Sequence, residues 1–175
     1  MKRTTVAALF LAAGYVAYTQ TPPDIGQGWV PEFDHSTKQL MALAAATPAE
    51  KFAWRPGPGV RSTSEVYMHI AVGNYWLLGQ AGVKLPSAAP KLEQNTETAV
   101  TAKADVIKWL KGSTDAVRDA YSKVDRQKRV KFFGNDVPAE NVFLRILVHN
   151  HEHMGQLIGY ARMSGVVPPW SAKKE

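Results

Sequence analysis

The stretch Leu147-Val148-His149-Asn150-His151-Glu152-His153-Met154-Gly155-Gln156 carries the densest chemistry in the chain. It lies within an apolar-periodic run from Pro138 to Met163, which reads as a helix. His149 and His153 are four apart, so their rings stand one turn above each other on one face. Val142, Ile146, Leu157 and Tyr160 share that face, so both imidazoles point inward. His151 falls on the far side, toward solvent. A histidine pair at this spacing is a chelate for a divalent ion, because both rings can aim a nitrogen at one point.

Two ligands rarely complete a site, so a third must come from another element. Ser62-Thr63-Ser64-Glu65 has the capping-box pattern and opens a helix running to about Gln80. Its inward stripe reads Val66, His69, Ile70, Gly73, Trp76 and Leu77. His69 is therefore the other histidine set among apolar residues. His35, beside Asp34 and Ser36, reads as exposed. Three imidazoles would suit Zn, Ni, Fe or Cu and leave coordination positions open. The alternative is three core histidines satisfied by hydrogen bonds.

Two further helices fill out the chain. The first spans Pro31 to Ala46, with Phe33, Leu40, Leu43 and Ala44 on one face, and Thr47-Pro48 ends it. Arg55-Pro56-Gly57-Pro58-Gly59 must be a loop, and Ala81 to Gln94 reads as another. A third helix is expected from Thr96 to Val124 on the stripe Ile107, Leu110, Thr114, Val117, Tyr121 and Val124. Lys131 to Asn135 reads as a loop or short extended piece. Asp136 is expected to cap the fourth helix, with Pro138 in its first turn. Four amphipathic helices define an all-α, four-helix bundle.

The 175 residues fit one domain, divided as a leader over 1–20, an extended lead-in over 21–28 and the bundle over 29–175. Met1-Lys2-Arg3, the apolar run through Ala13 and the break at Pro22-Pro23 have the layout of a secretory signal peptide. The apolar run falls short of the roughly 20 residues that span a bilayer. The expectation is export, to the periplasm or outside the cell. An uncleaved first helix would instead leave the protein in the cytoplasm. The chain has no cysteine, which excludes disulfides, thiolate ligands and a cysteine nucleophile. Its net charge is +6; two of its 21 basic residues and none of its 15 acids fall in the leader, leaving 19 against 15, or +4. That excess, with the densest basic run (Lys123 to Lys131) between helices, does not amount to a nucleic-acid site.

The segments Met68-His69-Ile70-Ala71 and His149 to Gln156, the tail Tyr160-Ala161-Arg162-Met163-Ser164-Gly165-Val166-Val167-Pro168-Pro169-Trp170 and Trp54-Arg55-Pro56-Gly57 together resemble the DinB-like family of four-helix metalloproteins. The resemblance covers about residues 29 to 171. It implies that His69, His149 and His153 bind one divalent metal, Zn or Ni foremost and Fe next, and that the protein is a homodimer. Many members carry two adjacent histidines and an arginine where this chain has Glu152-His153-Met154. Glu152, three after His149, is a candidate base at the rim, the alternative being a solvated side chain. Gln156, three after His153, would orient a ligand or form a helix–helix hydrogen bond. The function expected is a metal-dependent enzyme acting on a small molecule, as a hydrolase or in the manner of a thiol transferase. The competing reading is an exported, non-catalytic metal or small-ligand binding protein, and a third is a structural bundle whose histidines bind nothing.

Overall fold

A computed structural model of the chain describes residues 25–85, 92, 93 and 95–172. The expected leader and the first half of the lead-in, residues 21–24, lie outside these residues. The elements in order are α1 (Trp29–Ala46), a 3-10 turn (Ala49–Lys51), α2 (Thr63–Gln80), α3 (Thr96–Ala99), α4 (Lys103–Lys123), β1 (Arg129–Phe132), β2 (Asn135–Pro138), α5 (Ala139–Met163) and a 3-10 turn (Pro169–Ser171). The fold is mostly helical. The all-α, four-helix expectation needs two corrections: the described residues contain five helices, one of them short, and a two-stranded sheet.

The first correction lies in the expected third helix. Val100 takes an extended conformation (φ −101°, ψ 101°) and Ala102 another (φ −68°, ψ 129°). The helix therefore stops at Ala99 and restarts at Lys103. Val100 and Thr101 are β-branched, which weakens helix locally, and Val100 packs against the core instead of continuing the helix. The second lies in the segment read as a loop or short extended piece, which is extended and paired into a hairpin. Arg129 pairs with Pro138 and Phe132 with Asn135, leaving Phe133-Gly134 as a two-residue turn. Both turn residues have positive φ, 47° and 81°, which is the backbone a tight antiparallel hairpin requires. Asp136 consequently sits in β2, bound to Arg129 at 2.7 Å. Pro138 occupies the N-cap position of α5, with no side-chain cap.

α1 and α2 each pack against both α4 and α5. Register can be read from individual contacts. Arg118 reaches Asp34 at 2.8 Å, and Lys103 Nζ donates to the carbonyls of Ala45 at 2.8 Å and Thr47 at 2.7 Å, so α1 and α4 run antiparallel. Asn74 donates to Ser113 at 3.2 Å, and Leu78 and Gly82 share a cavity with Ala120 and Lys123, so α2 and α4 run parallel. The indole of Trp29 donates to the Phe143 carbonyl at 2.9 Å.

The core divides into two apolar clusters. One holds Leu40, Leu43, Val66, Ile70, Leu110 and Leu157; the other holds Phe33, Leu77, Leu78, Val117, Phe143 and Ile146. Between them every long helix contributes polar side chains: Ser36, Asn74, Ser113 and Asn150 are each 0% exposed. Thr37 Oγ1, Asn74 Oδ1 and both amide atoms of Asn150 are buried without a protein partner. A buried polar atom left so costs about 1–3 kcal/mol. Two residues depart from the sequence reading. Trp76, expected inside, is 44% exposed and meets the Phe133 ring at 6.0 Å. It lies past the edge of the α2–α5 seam, where the hairpin and not a helix faces it. His35, expected in solvent, is partly buried.

The start of α2 follows its capping box. Ser62 Oγ accepts from Glu65 N at 3.3 Å, and Glu65 Oε2 accepts from Ser62 N at 2.7 Å. Ser62→Ala is expected to cost about 1 kcal/mol. A urea titration would show a lower midpoint with an unchanged slope.

Candidate metal centre

Antiparallel packing of α2 on α5 brings His69 level with His149 and His153. The approach is close because position 73 has no side chain. A Cβ built on Gly73 would lie 2.6 Å from His149 Cε1. The Cε1 end of the imidazole therefore lies against the α2 backbone, in space that any other residue would fill.

The three rings converge as expected. One nitrogen from each of His69, His149 and His153 lies within 4.8 Å of the others. Nε2 of His69 and Nε2 of His149 are 3.2 Å apart. Ring centroids stand 5.0 Å (His69–His149), 4.6 Å (His69–His153) and 4.6 Å (His149–His153) apart. His149 is buried, and the other two are half-buried.

Outer hydrogen bonds fix the direction of two rings. His69 Nδ1 meets Glu97 Oε1 at 2.7 Å. An ionised carboxylate only accepts, so Nδ1 carries the proton of this bond, and Nε2 is the nitrogen turned toward the other rings. The other Glu97 oxygen accepts from Arg61 Nε at 3.1 Å. His153 Nδ1 donates to Gln156 Oε1 at 2.9 Å, and the Gln156 amide nitrogen donates to the Tyr160 hydroxyl at 2.9 Å. That second bond holds the amide with its oxygen toward the histidine. His149 Nδ1 is buried without a protein partner.

Burial favours the neutral form of His149 and His153. It pushes His149 down from its ordinary 6.5 to about 4, and the charges that His153, His69 and Arg145 would set beside a protonated ring push the same way. His153 is also lowered, by burial first; its Gln156 hydrogen bond works against that shift, and His69 adds to it. Burial alone would raise Glu97, but the hydrogen bond and charge of His69 and the Arg61 guanidinium outweigh it and hold the carboxyl below its ordinary value.

Other named residues fall outside this cluster. His151 is tied to the Leu147 carbonyl at 2.9 Å. Glu152 is exposed and pairs with Arg145 at 3.1 Å. The acid that touches a ring is Glu97, which sequence reasoning missed. It sits 28 residues from His69 on a four-residue helix with no stripe to mark it. The signal was the β-branched pair that follows it, which ends the helix and turns the segment against α2.

The donor set fits a divalent ion. Two lone-pair nitrogens at about 2.0–2.1 Å from one zinc ion in tetrahedral array stand roughly 3.3 Å apart, close to the 3.2 Å between the His69 and His149 nitrogens. Carboxylate and amide acceptors behind ligand imidazoles are the usual outer partners of such sites.

The fold is thus a mostly helical bundle whose three converging histidines could hold a metal ion. Residues 32–157 match the DinB superfamily, and the chain belongs to that family. The structure is similar to a DinB-like protein from Bacillus cereus ATCC 10987, at a TM-score of 0.71 and 18% identity over 82% of this chain and 95% of that one. It is also similar to a DinB-like protein from Bacillus subtilis (TM-score 0.61, 14% identity, 83% and 99% covered). A DinB family member from Exiguobacterium sibiricum 255-15 gives a TM-score of 0.59 at 19% identity, with 84% and 96% covered. At these identities the likeness concerns the fold. No curated protein matches the chain.

The lowered His149 value sets an acid dependence for the metal-free protein. Between about 4 and 6.5 the folded ring binds fewer protons than the unfolded one, so folding stability rises with pH across that window. Stability should be full above pH 6.5 and fall progressively toward pH 4. Urea midpoints measured across this range should decline less steeply in His149→Ala.

Proposed function

We propose that the protein binds one divalent metal through His69, His149 and His153 and uses it on a small molecule. The observation that carries this reading is the pair of outer acceptors. Glu97 and Gln156 each accept the Nδ1–H hydrogen bond of a ring, at 2.7 and 2.9 Å, and so turn the Nε2 nitrogens toward the shared point. Core histidines satisfied by hydrogen bonds need no such convergence.

Zn and Ni suit three neutral imidazoles best, with Fe next. When bound, such an ion supplies Lewis acidity to a ligand or reacting group. The chain's own residues do the rest. Glu97, braced by Arg61, holds the His69 ring and strengthens it as a donor. Gln156, braced by Tyr160, does the same for His153. Gly73 gives the His149 ring its place. The site reaches the surface at one edge, where the His69 and Glu97 side chains are 24% and 27% exposed. Glu97 is placed to accept a proton there only by releasing His69, so its first role is positioning. Glu152 stays a candidate base only if its pairing with Arg145 opens.

A hydrolytic or thiol-transferase-like reaction is the enzyme reading; a carrier without turnover is the alternative. Export rests on the layout of residues 1–20, and N-terminal sequencing of protein from the native host tests it, since an intact Met1 on soluble cytosolic protein would contradict it. The homodimer rests on family resemblance.

Elemental analysis of untagged protein decides the metal. About one equivalent is expected per chain, with loss in His149→Ala. A fully folded native protein that takes up neither zinc nor nickel on titration would overturn the reading. Glu97→Gln is expected to weaken metal affinity by about 10–100-fold while leaving circular dichroism unchanged. In Gly73→Ala the added methyl displaces the His149 ring, and a weakening of the same order is expected in the same titration.

A further inference from the structure

The polar layer across the middle of the bundle has no part in the reading above. Its members come from all four long helices and stand at one level. Asn74 touches Ser113 directly, at 3.2 Å. The α1–α4 contacts, Arg118 with Asp34 and Lys103 with the Ala45 and Thr47 carbonyls, place Ser36 and Thr37 opposite Ser113 and Thr114. The Trp29–Phe143 bond sets α1 beside α5 at an offset of 114 residues, which places Ser36 opposite Asn150.

The hydroxyls are mostly spoken for. Ser36 donates to the Phe33 carbonyl, Ser113 to Leu110, and Thr114 to Leu110 and Lys111. The amides are not. Both Asn150 atoms, Asn74 Oδ1 and Thr37 Oγ1 are buried, and none meets a protein partner. Asn150 and Asn74 are each 0% exposed and lie between two apolar clusters. A whole carboxamide desolvated among hydrocarbon is untenable unless something polar binds it. Neighbouring atoms extend the group. His149 precedes Asn150 and lies against Gly73, which precedes Asn74, and His149 Nδ1 is buried in the same condition.

We propose that this layer is a water-binding site, in which ordered water bridges Asn74, Asn150 and Thr37 and serves as the outer partner of His149 Nδ1. Water is the ligand that the donors and acceptors select. An amide offers both N–H and C=O, a hydroxyl offers both, and a water molecule needs two to four such partners to reside in an interior. A cation would call for carboxylates in this layer, and its buried members are amides and hydroxyls. Asn74 and Asn150 are thus positioning residues: through water they do for His149 what Glu97 and Gln156 do for the other two rings. The site requires no metal, so it stands or falls apart from the proposed function.

The test uses the metal-free full chain. Oxygen-17 magnetic relaxation dispersion should detect at least one long-lived internal water, and its amplitude should fall in Asn150→Leu and in Thr37→Val. The side-chain nitrogen-15 resonance of His149 Nδ1 should shift in the same variants, a change that altered packing of Thr37 would not produce by itself. If Asn150→Leu fails to fold, Thr37→Val and the wild-type measurement still decide. Absence of long-lived water in the wild type, or an amplitude and a His149 resonance both unmoved by substitution, would overturn the proposal.

Discussion

The candidate centre depends on a single close approach, that of α5 to α2 at Gly73. Helix axes normally stand 8–10 Å apart, at a distance set by the side chains between them. Here the side chain on one side is a hydrogen atom, and an imidazole lies in the space. That contact places His149 deep in the seam, next to His69. His153, one turn further along α5, then follows without a further condition. Glycine in a helix interior is ordinarily a weakness of about 1 kcal/mol. At position 73 it leaves the space that the His149 ring occupies beside His69.

Around that contact the protein has arranged acceptors instead of leaving the rings to choose their own tautomers. Glu97 reaches His69 from outside the bundle, whereas Gln156 reaches His153 from the same helix. Each acceptor has its own brace, Arg61 for one and Tyr160 for the other. Burial supplies the remaining condition, holding His149 and His153 in the neutral form that carries a lone pair. Position, direction and protonation state are thus set by three separate physical devices.

Much of this was legible from residue types and spacing. The i, i+4 pair on a core-facing run marked His149 and His153, and the stripe of α2 marked His69. Ser62 to Glu65 announced the start of α2, and its cap has the expected hydrogen bonds. What periodicity could not convey was anything carried by a segment without a stripe. Glu97 sits on one turn of helix between a loop and a break. The hairpin escaped because Phe133 holds a backbone conformation normally left to Asn or Gly. Trp76 was placed inside because apolar residues at helical spacing look alike whether a helix or a small sheet faces them. The polar layer was half visible: Thr114 was read as filling a core position, but nothing local shows that four separate helices put their polar residues at one height.

The separation of the histidines along the chain bears on how the protein is made. His69 and His149 stand 80 residues apart, and His153 belongs to the last long helix. During synthesis α1, α2 and α4 emerge with no means of assembling the trio. Domains emerge from the ribosome N-terminal end first, so His69 waits, paired at most with Glu97, until the C-terminal helix arrives. A nascent chain arrested before residue 149 would carry one imidazole of the three, so the cluster is completed only by the last long helix.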